Sequence, residues 1–184
     1  MREPTGARNW RAAGSLAEPM LSSARMKRPL VIATIVALFT TGCDLSSKYW
    51  AIQTTARGPK AVIQGALDLV HWENPGMAFS LMRTWPPGIR MWLLSVAAVI
   101  AIAIGFLALA KRPMDRASTI GIGLIMGGAL GNFLDRAHNG TVTDFLHVHR
   151  GSFDWPAFNV ADIAVTCGAF LMLYGMSRAR RHPV

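Results

Sequence analysis

The sequence predicts an all-α integral membrane protein: a bundle of four transmembrane helices carrying a small extracytoplasmic β element. Three observations lead there. Hydrophobic residues fill 52% of the 184 positions and charged residues only 16%, with a mean hydropathy of +0.31, a balance rare in a water-soluble domain of this size. Apolar runs close to the roughly 20 residues that cross a bilayer recur four times. The basic residues behind the net charge of +9 are clumped at the ends of those runs. Lys27 and Arg28 precede the first, Lys111, Arg112 and Arg116 follow the second, and Arg178, Arg180 and Arg181 follow the last. Such clumps set membrane orientation, whereas a nucleic-acid surface interleaves its charge with stacking aromatics, so no nucleic-acid partner is expected.

Residues 1–25 mix Pro, Gly, Ser, Ala and charge without periodicity and are expected to be a flexible extension, which leaves 26–184 as the membrane domain. The first span is expected over residues 29–50. Its LFTTGCDLSSK segment (38–48), after a basic start, looks like the processing site of a bacterial lipoprotein, with Cys43 as the modified residue. A lipoprotein has one apolar stretch and then a polar domain, and here the runs continue to residue 176. Cys43 and Cys167 both lie inside apolar runs, so they read as small packing residues.

The second span is expected over 89–110, the third over 117–134 and the fourth over 159–176. With four spans both termini share one side, and the basic clumps make that side cytoplasmic. Residues 51–88 and 137–158 then form the extracytoplasmic loops. In the first, AVIQGALDLVHW alternates enough to predict a short strand or hairpin. Trp50, Trp72, Trp85, Trp92 and Trp155 fall in loops or near span ends, where indoles anchor at headgroups. Gly123, Gly127 and Gly131 share one helix face and predict close packing against another helix.

Ionisable groups within spans are costly and usually face the bundle interior. They are few: Asp44 and Lys48 in the first span, Asn132, Asp135 and Arg136 closing the third, and Asn159 and Asp162 opening the fourth. At about 1.5 Å per residue, Asp44 and Asn132 each lie about 22 Å from the inner end of their spans, and Asp162 about 5 Å from its outer end. All reach one layer near the outer edge of the hydrocarbon, and Asp144 in the second loop is placed to join them. Asp44 and Lys48 are spaced i,i+4, acid before base, suited to mutual neutralisation. Asn132 and Arg136 share that spacing, and Asn159 and Asp162 are i,i+3.

Asp144 and Asp162 have no basic residue at helical spacing. Two carboxylates brought together share a proton, so that one acts as base and the other as acid; a proton relay or structural pairing are the competing readings. The four loop histidines, His71, His138, His147 and His149, are expected to be exposed, and no metal site is expected from them.

The segments DLSSKYW (44–50), ENPGMAFSL (73–81), GGALGNFLDRAHNGTVTDF (127–145) and WPAFNVADIAV (155–165) together resemble the lipoprotein signal peptidase, or signal peptidase II, family, and occur in its order. The resemblance covers about residues 28–178. Thr143 stands where an aliphatic residue is more usual, and Met77 where a small one is. The resemblance implies an intramembrane aspartic endopeptidase of the bacterial inner membrane with no cofactor. Its substrates would be prolipoproteins, cut before a diacylglyceryl-modified cysteine, with membrane lipids as further partners. It implies that Asp144 and Asp162 form the catalytic pair, and that Asp44, Lys48, Asn74, Gly76, Asn132, Asp135, Arg136 and Asn159 line or brace the site. The rival reading is a small proton-coupled transporter. That function calls for polar groups through the full membrane thickness, and the inner halves of spans two and four are almost wholly apolar.

Overall fold

The structure, a computed structural model, describes residues 9–76, 85–111 and 114–181, with side chains from Arg28 to Arg178 except Pro87. The elements run α1 (Asn9–Thr55), β1 (Lys60–Ile63), β2 (Leu67–Asn74), α2 (Pro87–Lys111), α3 (Arg116–Asn139), β3 (Val142–Arg150), β4 (Phe153–Phe158) and α4 (Val160–Arg181). Stretches of all four helices, Arg28–Thr55, Gly88–Lys111, Arg116–Asn139 and Val160–Arg178, are long and apolar enough to cross a membrane. They extend the expected spans by up to five residues at their ends, except that the fourth begins one residue later than expected. The α1 backbone is helical back to Asn9, through much of the stretch expected to be an aperiodic extension.

Helix α3 sits centrally and packs against the other three. Its glycines make this possible. A Cβ on Gly127 would lie 2.6 Å from the Ala37 carbonyl oxygen and one on Gly123 2.8 Å from that of Ala33, so α1 rests directly on the α3 backbone. On the other side, a Cβ on Gly128 would lie 2.5 Å from the Ala161 carbonyl oxygen of α4. Ala33, Ala37, Leu109, Ile122 and Met126 form the buried apolar cluster between α1, α2 and α3. Val31, Phe39, Ile104, Phe106 and Phe170 point outward, as do Trp50 and Trp92 at the span ends. Cys43 and Cys167 also face outward, which corrects the reading of them as packing residues.

The protein is not all-α. β1 to β4 form one antiparallel sheet in the order β1-β2-β3-β4, connected to the ends of α1 and α3 and the start of α4. The second loop, from which no strand is expected, contributes half of it. Its turn is Gly151-Ser152, with Gly151 at φ +59°, the left-handed geometry that a two-residue hairpin requires. Pro156 is tolerated because β4 is an edge strand. The β2–β3 ladder joins the two loops, setting Trp72 opposite Asp144 and Asn74 opposite Val142. Ala51, Leu69 and Phe145 form a second apolar cluster, between α1 and this sheet.

Candidate active site

The ionisable groups expected in one layer do converge, where α1, α3, α4, β2 and β3 meet. Asp44 and Lys48 lie one helical turn apart on α1, with Lys48 Nζ 2.8 Å from Asp44 Oδ2. Both are buried. The other Asp44 oxygen, Oδ1, accepts the backbone N–H of Ala161 at 2.8 Å. Ala161 is in the first turn of α4, whose leading N–H groups have no partner within the helix, so a carboxylate from α1 closes the start of α4.

Lys48 also lies 3.2 Å from Asp135 Oδ2 and donates to Asn132 Oδ1 at 3.0 Å. One buried ammonium is therefore placed among two carboxylates and an amide. Asp135 in turn accepts the backbone N–H of Thr143 at 2.7 Å and the Asn139 amide at 2.7 Å, tying the end of α3 to the start of β3. The Thr143 contact runs through its backbone, which any residue at that position supplies. Asn139 is a bracing residue that the sequence patterns do not single out, since it looks like an ordinary helix-end polar residue.

Asp144, the next residue on β3, is buried and accepts two amides: Asn159 Nδ2 to Oδ1 at 2.7 Å and Asn74 Nδ2 to Oδ2 at 2.9 Å. Burial is the main force raising its carboxyl, to about 6; the nearby Asp162 charge adds to the rise, while the two amide donors and Lys48 oppose it. Asn74 is held by its own turn, its Oδ1 accepting the Gly76 N–H at 2.9 Å. Gly76 has φ +91°, and a Cβ there would lie 2.5 Å from Leu94 of α2. Both facts explain glycine at that position. Met77 lies outside the described residues.

Asp162 belongs to the first turn of α4. It forms a reciprocal cap with Asn159: the Asp162 N–H donates to Asn159 Oδ1 at 3.0 Å, and Asn159 N–H donates to Asp162 Oδ2 at 3.3 Å. Asn132 Nδ2 donates to Asp162 Oδ1 at 3.0 Å. Asn159 thus contacts both aspartates through different atoms, and its amide also reaches Asn132 Oδ1 at 3.2 Å. Arg136 donates to the Asn132 carbonyl at 3.2 Å, and its charge acts on Asp162, Asp144 and Asp135. A cleft of about 130 Å³ opens beside Asp144, lined by Trp72, Asn74, Pro75, Pro156 and Ala157 among others.

The arrangement is two carboxylates bridged by one asparagine beside a buried cluster in which one ammonium sits between two further carboxylates. A family described as Signal peptidase (SPase) II matches residues 36–178, more than three quarters of the chain. The chain belongs to the signal peptidase II family. Among its relatives, the lipoprotein signal peptidase of Nitratidesulfovibrio vulgaris (strain DP4) is 41% identical over 152 residues, 81% of this chain and 88% of that protein. That of Francisella tularensis subsp. novicida (strain U112) is 35% identical over 147 residues, 79% of this chain and 91% of the relative. Two solved structures described as bacterial membrane enzymes, obtained by the in meso method, superpose with TM-scores of 0.68 and 0.67. They are 26% and 27% identical to this chain, which covers 88% and 91% of their lengths. As a member of the signal peptidase II family the chain is a multi-pass bacterial membrane peptidase that removes lipoprotein signal peptides. The transporter reading finds no support.

Proposed function

We propose that the peptidase is of the aspartic type, with Asp144 and Asp162 as its catalytic pair. The observation that carries this is the Asn159 bridge: its side-chain amide holds Asp144 while its backbone N–H holds Asp162. Asp162, in the first turn of α4 with the Asn132 amide on it, acts as the base. Asp144, its carboxyl raised to about 6, mainly by burial, is the acid. Asp162 takes a proton from a water whose oxygen attacks the scissile carbonyl carbon. Asp144 gives its proton to the carbonyl oxygen, making a neutral gem-diol. Collapse breaks the C–N bond, the proton held by Asp162 passes to the leaving nitrogen, and a gem-diol hydroxyl returns a proton to Asp144. The positive Arg136 and the amides of Asn74 and Asn132 stabilise charge that develops on the way.

Asp44, Lys48 and Asp135 brace this pair: Asp44 fixes the start of α4, Lys48 holds the Asp44 and Asp135 carboxylates together, and Asp135 holds the strand that carries Asp144. The substrate is a prolipoprotein cut before a diacylglyceryl-modified cysteine. The membrane is the bacterial inner membrane, with both termini cytoplasmic and the sheet outside, an orientation that the basic clumps support. Incubating the purified protein with a prolipoprotein, with and without its diacylglyceryl group, tests the substrate by mass spectrometry. Release of a fragment that begins at the lipidated cysteine, and only from the modified form, is expected; equal cleavage of both forms refutes the lipid requirement. A reporter at residue 114 should report from the cytoplasm, and a signal from the other side refutes the orientation.

A further inference from the structure

The sheet carries a second cluster that the peptidase chemistry does not use. Asp68 on β2 stands opposite His147 on β3, and His149 on β3 stands opposite Asp154 on β4. His147 and His149 are two residues apart on one strand, so all four side chains share a face. This corrects the expectation of exposed loop histidines: both lie on β3 and are only partly exposed. The contacts run on the diagonals: His149 Nε2 is 2.9 Å from Asp68 Oδ2 and His147 Nε2 is 2.8 Å from Asp154 Oδ1. The two imidazole rings stack with centroids 5.2 Å apart and planes inclined by 28°.

One donor atom each from Asp68, His147 and His149 falls within 4.8 Å of the other two, the only such group among the described residues. Two neutral imidazoles with a carboxylate are a donor set for zinc or copper, not for magnesium or calcium, which prefer oxygen. Tetrahedral coordination at about 2.0–2.1 Å brings donors to roughly 3.3 Å apart, so side-chain rotation has to close at most roughly 1.5 Å. The Asp68, His147 and His149 side chains are only 27%, 19% and 30% exposed, so they are already largely ordered. Asp154, 73% exposed, already reaches His147 Nε2 at 2.8 Å and so stands beside the same group.

We propose that Asp68, His147 and His149 form a binding site for one divalent transition-metal ion, with Asp154 as its fourth donor. An ion here ties β2, β3 and β4 together. The same β2–β3 ladder carries Asn74 and Asp144, so occupancy stiffens the strands that present them.

The test uses the full chain, purified without a polyhistidine tag, stripped with chelator and titrated with Zn²⁺ or Cu²⁺ alone. Calorimetry should give one Zn²⁺ per chain and thermal unfolding a raised Tm, while the Cu²⁺ electron paramagnetic resonance spectrum should show coupling to imidazole nitrogen. His147→Gln, His149→Gln and Asp68→Asn should each weaken binding at least tenfold, a loss of the size seen when a metal's supporting residues are removed. Chelator-treated variants should still cleave prolipoprotein as the wild type does, which shows that they fold. Asp154→Asn, the mildest change, gives an independent reading if a histidine variant fails to fold. Absence of saturable binding overturns the proposal. So does undiminished binding by the histidine variants or, if those fail to fold, by Asp68→Asn and Asp154→Asn, because the ion then sits elsewhere.

Discussion

Asp44 Oδ1 accepts the Ala161 backbone N–H at 2.8 Å, joining residues 117 positions apart. Through this bond the first helix caps the last, and the cap stands next to Asp162. Asp44 also neutralises Lys48, which lies among Asp44, Asp135 and Asn132. Lys48→Met should therefore cost about 3–5 kcal/mol, the range for leaving a buried charge without its partner, because it strands Asp44 and Asp135 together. Asp44→Ala should cost less, about 1–3 kcal/mol, the range for a buried donor left unpaired at Ala161, since Asp135 and Asn132 still hold the ammonium. Thermal unfolding in detergent reads both, and a Lys48→Met variant more stable than Asp44→Ala contradicts the assignment.

Helix contact through glycine gives a second test. Gly127→Ala forces a methyl to within 2.6 Å of the Ala37 carbonyl oxygen, backbone that cannot rotate away. A loss of about 1–3 kcal/mol is expected, typical of overpacking. Gly42→Ala is the control: nothing lies within 4 Å of its Cβ, so the helix should gain about 0.5–1 kcal/mol. Equal effects at both positions would rule out the close α1–α3 contact.

Asn159 does two jobs that substitution can separate. Serine also caps helices, so Asn159→Ser keeps the start of α4 while removing the amide that holds Asp144. The Tm should fall little and kcat should drop about 10²–10³-fold, the usual cost of one well-placed donor in an active site. Unchanged kcat would assign the residue to capping alone.

The raised Asp144 carboxyl predicts the pH behaviour. It is protonated below about 6 and ionised above, so a reaction that needs it as the acid should slow roughly tenfold per unit on the alkaline side of that value. Stability follows the same direction. With the folded value above the unfolded 3.8, the contribution is fully present below 3.8 and is lost as pH rises through about 6. The loss is about 3 kcal/mol at most, by the 1.36 kcal/mol that each pKa unit carries. Unfolding followed from pH 4 to 8 reads it; stability that rises across this window contradicts the raised value.

Much of this was legible in the sequence because the membrane makes polar residues conspicuous. Asp44, Lys48, Asn132, Asp135, Arg136, Asn159 and Asp162 stand out as groups that hydrocarbon would exclude, and they do meet. Asp44 with Lys48 pairs as the i,i+4 spacing predicts, and the Gly123–Gly127–Gly131 face packs on α1. The second half of the sheet was less visible. VTDFLHVHR alternates and Gly151-Ser152 is a turn signal, yet the segment pairs with β2 across about 70 positions, which no local pattern records. The His–Asp diagonals were hidden for the same reason, since Asp68 and His149 become neighbours only through that register. The Asp44–Ala161 bond was beyond sequence reasoning, because its donor is a backbone group.

The central claim, a proton-sharing pair of Asp144 and Asp162, is tested most directly by cleavage of a diacylglyceryl-modified prolipoprotein by Asp144→Asn and Asp162→Asn, each checked for wild-type helicity and Tm. The account predicts that both variants stay folded and that each loses at least 10³-fold in kcat. Retention of wild-type cleavage by either folded variant would contradict it.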